Sequence, residues 1–165
     1  MNKAVSKINK ALDNNVVELY GMSQSGKSSI AHEIAKKYPA TLWLDSLFQY
    51  SLDGEYYLAQ TSSLDDISEV VKELELLVID DFFSLKGRPR DNMYKIQEFI
   101  YNNKKLSVLI INQIRHNFNE NSPDKYVPFA DYIMQRYADR RFYCEFKNGK
   151  TVVTRSEEHT SELQS

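Results

Sequence analysis

A phosphate-binding loop is the first chemistry that residue types and spacing predict. Gly21, Gly26, Lys27 and Ser28 fit the pattern G-x-x-x-x-G-K-[ST], directly after the apolar run 16–20. The glycines permit a tight loop whose backbone N–H groups surround a phosphate, while the lysine reaches the β- and γ-phosphates and the serine hydroxyl reaches Mg²⁺. The residues expected to hold the phosphates of a nucleotide are Gly21, Met22, Ser23, Gln24, Ser25, Gly26, Lys27, Ser28 and Ser29.

Two neighbouring aspartates are the second candidate group. Asp80 ends the apolar run LLVID, and Asp81 follows it directly. With a phosphate loop upstream, an acidic residue at the end of a buried strand is placed to hold Mg²⁺ through water, so Ser28 and Asp80 form the predicted metal site. For Asp81 two interpretations stay open: it orients an attacking water molecule, or it caps the following loop.

Strands and helices must position these residues, and hydrophobic periodicity predicts both. Apolar runs indicate strands at 16–20, 41–45, 57–59, 76–80 and 107–112, and helical spacing indicates helices over 3–13, 29–38, 64–74, 93–100 and 129–137. Residues 140–146 and 150–154 flank Asn148 and Gly149, a type I′ hairpin signal. The alternation predicts an α/β fold, in which helices flank a mainly parallel sheet and an antiparallel hairpin closes the C-terminal end.

Two segments resemble one family of nucleotide-binding proteins. VVELYGMSQSGKSSIAHEIA (16–35) is similar to the first strand, phosphate loop and helix of RecA-type recombinases, including their RadA and RadB relatives, and VLIINQIR (108–115) is similar to the recombinase strand that ends in N-Q-[IVL]-R. The resemblance implies a RecA-like P-loop NTPase fold with ATP and Mg²⁺ as cofactors. It assigns to Gln113 the role of sensing the γ-phosphate and signalling to the following loop.

The resemblance leaves the hydrolytic base open. In the family a glutamate after the second strand polarises the attacking water, whereas Asp45-Ser46-Leu47 offers leucine at that position. Asp45 and Asp81 are the available substitutes, and with Lys27 and Gln113 they complete the candidate catalytic set. We therefore expect a DNA-dependent ATPase whose hydrolysis is slow or absent.

The same family binds single-stranded DNA through two loops. The first corresponds to 82–90, where Lys86, Arg88 and Arg90 lie beside two phenylalanines, and the second begins at Arg115 and His116 and contains Lys125. Cations can follow the nucleic-acid backbone while aromatic rings stack on bases. Charge is divided accordingly, because residues 1–81 hold 7 Lys/Arg and 13 Asp/Glu whereas residues 82–154 hold 13 and 7.

The resemblance predicts a protein of DNA recombination or repair that forms a homo-oligomer or filament. Three alternatives stay open. LLVIDDF also resembles AAA+ helicase loaders, although the predicted terminal hairpin opposes that class. The missing glutamate fits a non-hydrolysing recombinase paralogue that regulates a partner. A small-molecule kinase would need a basic lid and a substrate pocket, and NQIR (112–115) argues against it. ATP turnover with and without single-stranded DNA separates most of these.

The final residues, 155–165, read RSEEHTSELQS and resemble the translation of a sequencing adapter. We therefore expect one domain over 1–154, truncated at its C-terminus, followed by a foreign tail. The tail holds one basic and three acidic residues and so accounts for the net charge of −2. A single cysteine and the lack of a long apolar run predict a cytoplasmic protein that has no membrane partner.

Overall fold

A computed structural model describes residues 2–48, 57–116, 121 and 126–156. The helices are α1 (Asn2–Ala11), α2 (Lys27–Ala35), α3 (Pro89–Asn102) and α4 (Asp131–Tyr137). The strands are β1 (Val16–Gly21), β2 (Thr41–Asp45), β3 (Tyr57–Ala59), β4 (Leu76–Asp80), β5 (Ser107–His116), β6 (Tyr126–Pro128), β7 (Arg140–Lys147) and β8 (Lys150–Arg155). Short 3₁₀ turns occupy Leu64–Ile67, Val70–Glu73 and Phe82–Ser84.

The strands form one sheet in the order β3-β2-β4-β5-β1-β7-β8, with β6 paired to β5. The pairs from β3 to β7 are parallel, and β7 and β8 form an antiparallel hairpin. Strand β5 therefore lies between β1, which leads into the phosphate loop, and β4, which ends at Asp80. This order brings the carboxyl ends of β1, β5 and β4 side by side, as the predicted site requires.

Successive strand residues face opposite sides of the sheet, and each side packs into its own core. Val16 and Leu44 face the core that α3, α4 and the 3₁₀ turns cover. Val17 and Trp43 face the core that α1 and α2 cover. Both faces of the parallel strands are thus buried, which is the arrangement that their continuous apolar runs indicate.

The predicted α/β class, the mainly parallel sheet and the closing hairpin are confirmed. The hairpin turn has positive φ at both central residues, 53° at Asn148 and 78° at Gly149, as a type I′ turn requires. The ends of β2, β3 and β4 are those predicted. In the described residues no helix has the length and apolar character needed to cross a membrane.

Two predicted elements are wrong. The segment 64–74 is not an α-helix but two 3₁₀ turns, because the Ser68 hydroxyl bonds the Asp65 carbonyl at 3.0 Å and competes with a continuous helical ladder. The predicted loop after Asn112 is also wrong at its start. Strand β5 continues to His116, since Ile114 to His116 pair with β6.

Candidate nucleotide site

The phosphate loop connects β1 to α2 through backbone that only glycine fits. Gly26 caps α2 with φ of 96°, and a Cβ there would lie 2.1 Å from the Thr151 Oγ1 atom of β8. A Cβ on Gly21 would lie 2.5 Å from the Cys144 carbonyl oxygen of β7. The Thr151 hydroxyl also donates to the Ser25 carbonyl at 3.1 Å. The C-terminal hairpin therefore forms one wall of the phosphate loop.

The interior of the loop has polar groups suited to a phosphate. The Ser25 Oγ atom is buried and has no hydrogen-bond partner among the described residues. The Lys27 ammonium is buried and donates to the Met22 carbonyl at 2.8 Å. Burial lowers the Lys27 pKa, and the nearby Cys144, Asp80 and Asp81 oppose that shift. A desolvated cation beside an unpartnered hydroxyl gains charge-assisted hydrogen bonds when a phosphate binds, so these residues fit the nucleotide phosphates.

The remaining loop residues divide by exposure. Met22, Ser23, Gln24 and Ser29 are exposed, whereas Ser28 is half-buried in the first turn of α2. A helix N-terminus offers unpaired N–H groups and a partial positive charge. The predicted loop residues are therefore contiguous and border one concave backbone turn.

Asp80 lies at the carboxyl end of β4, with only 7% of its surface exposed. It pairs in register with Asp45 on one side and Ile111 on the other, and its carbonyl accepts from the Ser46 amide at 2.9 Å. Strand β5 alone separates β4 from β1, so the carboxyl end that carries Asp80 lies at the same edge of the sheet as the phosphate loop. This placement is compatible with the predicted magnesium site at Ser28 and Asp80, which stays a prediction. In the described residues no group of three or more His, Cys, Asp or Glu could hold a metal without a nucleotide.

The two candidate bases differ in their surroundings. Asp81 caps the turn Phe82–Ser84, accepting from the Phe83 amide at 2.7 Å and the Ser84 amide at 3.3 Å. Burial raises the Asp81 pKa, while these hydrogen bonds and Lys27 lower it. Of the two interpretations left open for Asp81, the cap is present in the structure, and the role in orienting water stays a prediction.

Asp45 is placed less favourably for contact with water. It is fully buried at the end of β2, and its Oδ2 atom accepts from the Gln60 side chain at 3.2 Å. Three strand spacings separate β2 from β1, which is about 14 Å at the usual spacing. Its role as a general base therefore depends on a rearrangement that exposes the carboxylate, and it stays a prediction.

Gln113 lies directly beside the phosphate loop. It pairs in register with Gly21, the last residue of β1, two positions beyond the level of Asp80. Its carbonyl accepts from the Phe129 amide at 3.0 Å, and the preceding Asn112 donates to the Phe129 carbonyl at 2.7 Å. The strand end that carries Gln113 is therefore fastened to the chain segment that follows β6.

The candidate DNA-contacting residues fall into two groups. Lys86, Arg88 and Arg90 are exposed around the start of α3, and Phe83 beside them is half-exposed. Of the two phenylalanines in this segment, Phe82 is 1% exposed and belongs to the core, so its ring is not available to stack on a base.

The second group is less completely described. Arg115 and His116 belong to strand β5 rather than to a loop, because β6 pairs with them. Lys125 lies outside the described residues. DNA contact by either group stays a prediction.

Sequence reasoning missed a buried ionic network next to the site. Glu18, in the middle of β1, accepts from Arg141 at 2.6 Å and from Asn112 at 2.9 Å, and Arg141 also bonds Asp131 of α4 at 2.6 Å. Burial raises the Glu18 pKa, and Arg141 opposes that shift. The Arg141 guanidinium also lies 5.2 Å from the centre of the Tyr20 ring. A carboxylate inside an apolar strand was the available signal, since a buried charge requires a partner.

A parallel sheet, a glycine-rich loop leading into a helix, and an acidic strand end define a P-loop NTPase fold. The chain therefore has the fold of a P-loop NTPase. No protein-family model matches it. It is similar to a protein named cytidylate kinase from Fusobacterium nucleatum subsp. nucleatum, with 34% identity over 109 residues, which are 64% of this chain and 49% of that protein. The chain thus spans about half the length of the curated relative it matches. The similarity supports a P-loop nucleotide-binding protein in general, without distinguishing the RecA type.

Proposed function

We propose that the chain is a RecA-type ATP-binding protein in which Gln113 couples the state of a bound nucleotide to single-stranded DNA. The observation that carries the proposal is the register between Gly21 and Gln113, with Asp80 one strand further along the sheet. In this proposal the γ-phosphate held by Lys27 is within reach of the Gln113 amide. The Gln113 side-chain amide could then hydrogen-bond the γ-phosphate although Gln113 is not part of the phosphate loop.

A chain of contacts connects Gln113 to the first of the predicted DNA-binding segments. Phe129, bonded to both Asn112 and Gln113, stacks on Phe83 with ring centroids 4.5 Å apart. Phe83 in turn belongs to the turn that Asp81 caps. A shift of Gln113 is thereby transmitted to the segment bearing Lys86, Arg88 and Arg90. We propose that these cations bind single-stranded DNA and that the activity serves recombination or repair, with ATP held between subunits of an oligomer.

The test measures ATP turnover and ATP affinity with and without single-stranded DNA. In the native chain we expect DNA to change turnover or affinity. Lys27→Ala should weaken MgATP binding by about 10- to 150-fold, the usual value of hydrogen bonds to a charged group. Gln113→Ala should keep ATP affinity within about threefold and lose the response to DNA, since it removes the contact to the γ-phosphate alone.

The matched control is Gln135→Ala, which removes an exposed glutamine side chain on α4. It should keep both ATP affinity and the DNA response. ATP binding that DNA never affects would contradict the proposed function. A collapse of ATP affinity in Gln113→Ala would contradict the sensor role alone.

A second candidate function is phosphoryl transfer to a nucleoside monophosphate, which the similarity to a protein named cytidylate kinase favours. The same phosphate loop would hold the ATP donor, and CMP would accept the γ-phosphate. The discriminating measurement is ADP formation from ATP on addition of CMP in the absence of DNA. Stoichiometric CDP formation would replace the RecA-type proposal.

A further inference from the structure

An aromatic stripe runs along the exposed face of α3. Tyr94 and Tyr101 are two helical turns apart on the same face, and they are 50% and 74% exposed. The core side of α3 carries Met93 and Ile96 instead. Tyrosine also has a lower helix propensity than leucine, lysine or glutamate. Helix stability therefore does not account for two tyrosines at these positions.

Neighbouring groups orient both rings. The Tyr94 ring meets the Tyr137 ring of α4 edge to face, with centroids 5.6 Å apart and planes at 88°, and the Tyr137 hydroxyl donates to the Tyr94 hydroxyl at 3.2 Å. The Lys104 ammonium lies 4.6 Å from the centre of the Tyr101 ring, and that residue is still largely exposed. Rings that are ordered before binding lose less conformational entropy when a planar group stacks on them. The stripe is therefore a preorganised stacking surface.

Cations lie at both ends of the stripe. Arg88 and Arg90 precede it at the start of α3, and Lys104 and Lys105 follow the end of the helix. All four are exposed, and none of them forms a salt bridge with another described residue. The helix has 14 residues and so is about 21 Å long, which equals about six nucleotides of one strand at about 3.4 Å each. A polyanion of that length can contact both ends.

The carboxylates of α3 lie to one side of the stripe. At about 100° per residue, Asp91 and Glu98 fall on one flank of the line through the two tyrosines. Arg90 and Gln97 fall on the other flank. The Gln97 side chain donates to the Tyr137 carbonyl at 3.2 Å, so this second flank faces α4. A strand that follows the second flank avoids both carboxylates.

We propose that the single-stranded DNA of the proposed function, on which this step rests, continues along the flank that faces α4 and stacks its bases on Tyr94 and Tyr101. Arg136 is exposed on α4 at the same flank and adds a cation for the phosphates. Stacking tolerates any sequence, because every base has a π-face. An acidic polypeptide supplies the charge without a planar group at each repeat, so it fits the stripe less fully.

The test is the binding of a fluorescent twenty-nucleotide oligothymidylate by the whole chain with MgATP, measured by anisotropy. Tyr94→Ala and Tyr101→Ala should each weaken binding about 5- to 150-fold, the range of base–aromatic stacking. Tyr101→Phe keeps the ring and should stay within about threefold of the native chain. Tyr101→Leu keeps only apolar bulk and should lose affinity like Tyr101→Ala. The matched control is Tyr57→Ala, at a 73% exposed residue at the amino end of β3, which should stay within about twofold.

Two further measurements locate the strand. Lys104→Gln together with Lys105→Gln should lower the salt slope by about 1.4, at about 0.7 per neutralised phosphate on a single strand. An oligonucleotide that carries 5-iodouracil should crosslink to Tyr94 or Tyr101 under ultraviolet light, with the site mapped by mass spectrometry. Circular dichroism and thermal unfolding check that each variant folds, and the comparison of Tyr101→Phe with Tyr101→Leu decides the matter if an alanine variant does not.

The outcomes separate this step from the proposed function. If Lys86→Gln, Arg88→Gln and Arg90→Gln together abolish DNA binding while the tyrosine variants bind as tightly as the native chain, the stripe is excluded and the proposed function stands. If the native chain binds no DNA, both are overturned. An affinity for polyglutamate that falls equally in the tyrosine variants would identify an acidic polypeptide as the partner and would overturn the stacking of bases alone.

Discussion

The carboxyl end of β1 and the carboxyl ends of β4 and β5 lie side by side, yet they are built differently. At β1 the chain is closed in, because Gly26 packs against Thr151 and Gly21 against the Cys144 carbonyl. Burial raises the pKa of the Cys144 thiol to about 12, as expected where β7 packs against the loop and excludes water. After β4 the following segment presents exposed cations and a half-exposed Phe83. A phosphate loop enclosed by the hairpin thus shares one edge of the sheet with an exposed segment after β4.

The closed region should depend most on the Glu18–Arg141 pair. Replacing Arg141→Met leaves the fully buried Glu18 carboxylate without its cation, and we expect a loss of about 3–5 kcal/mol in the free energy of unfolding. Urea unfolding measures it. The double variant Glu18→Gln, Arg141→Met should recover much of the loss, because it removes the buried charge. A double variant as unstable as the single one would contradict this account.

The loss in Arg141→Met should also grow with pH. Burial already raises the Glu18 pKa, and Arg141 opposes that shift, so removing the arginine raises the pKa further. A folded pKa above the unfolded value of 4.5 means that stability is fully present below 4.5 and falls as pH rises through the folded pKa. Unfolding at pH 5 and pH 8 checks the sign, and an equal loss at both would contradict it.

The tight wall of the phosphate loop predicts the next largest effect. Gly26→Ala places a Cβ 2.1 Å from Thr151 Oγ1 at a φ of 96°, whereas Gly149→Ala meets nothing within 4 Å at a φ of 78°. The second variant measures left-handed strain alone, about 1–2 kcal/mol. The first adds overpacking of about 1–3 kcal/mol. Urea unfolding compares the two variants, and equal losses in the free energy of unfolding would mean that Thr151 of the hairpin leaves room for a side chain at position 26.

The sequence predicted the closed region well where a local motif defines it. The loop residues are consecutive, and the strand and helix on either side follow from apolar periodicity alone. The Glu18–Arg141 pair was missed because its members are separated by 123 positions and meet only through the pairing of β1 with β7.

The open region was predicted less well, and the reasons are physical. Phe82 and Phe83 are adjacent and identical in type, but one ring is buried and the other half-exposed, since the capped turn points them in different directions. The end of β5 was placed too early because Gln113 and Arg115 are polar. Gln113 pairs with Gly21 of β1 and Arg115 pairs with Val127 of β6, so the backbone of both residues stays in the strand whatever the side chains are.

The smallest expected effect lies in the contact between the turn after β4 and the segment after β6. Phe83 stacks on Phe129 at 4.5 Å, and such pairs contribute about 0.5–1.5 kcal/mol beyond their buried area. A double-mutant cycle with Phe83→Ala and Phe129→Ala should therefore give a coupling energy of about 1 kcal/mol in urea unfolding. The matched control is Tyr101→Ala with Phe129→Ala, because Tyr101 is 74% exposed on α3.

The control cycle should be additive within about 0.3 kcal/mol. If Phe83 and Phe129 are also additive, the turn after β4 and the segment after β6 move independently, and a signal from Gln113 has no path to that turn through this stack. If they are coupled in the free chain and the coupling changes when MgATP is added, the stack is the contact through which the closed loop acts on the open edge. Repeating the cycle at saturating MgATP therefore decides whether nucleotide binding at the phosphate loop is energetically coupled to the Phe83–Phe129 contact.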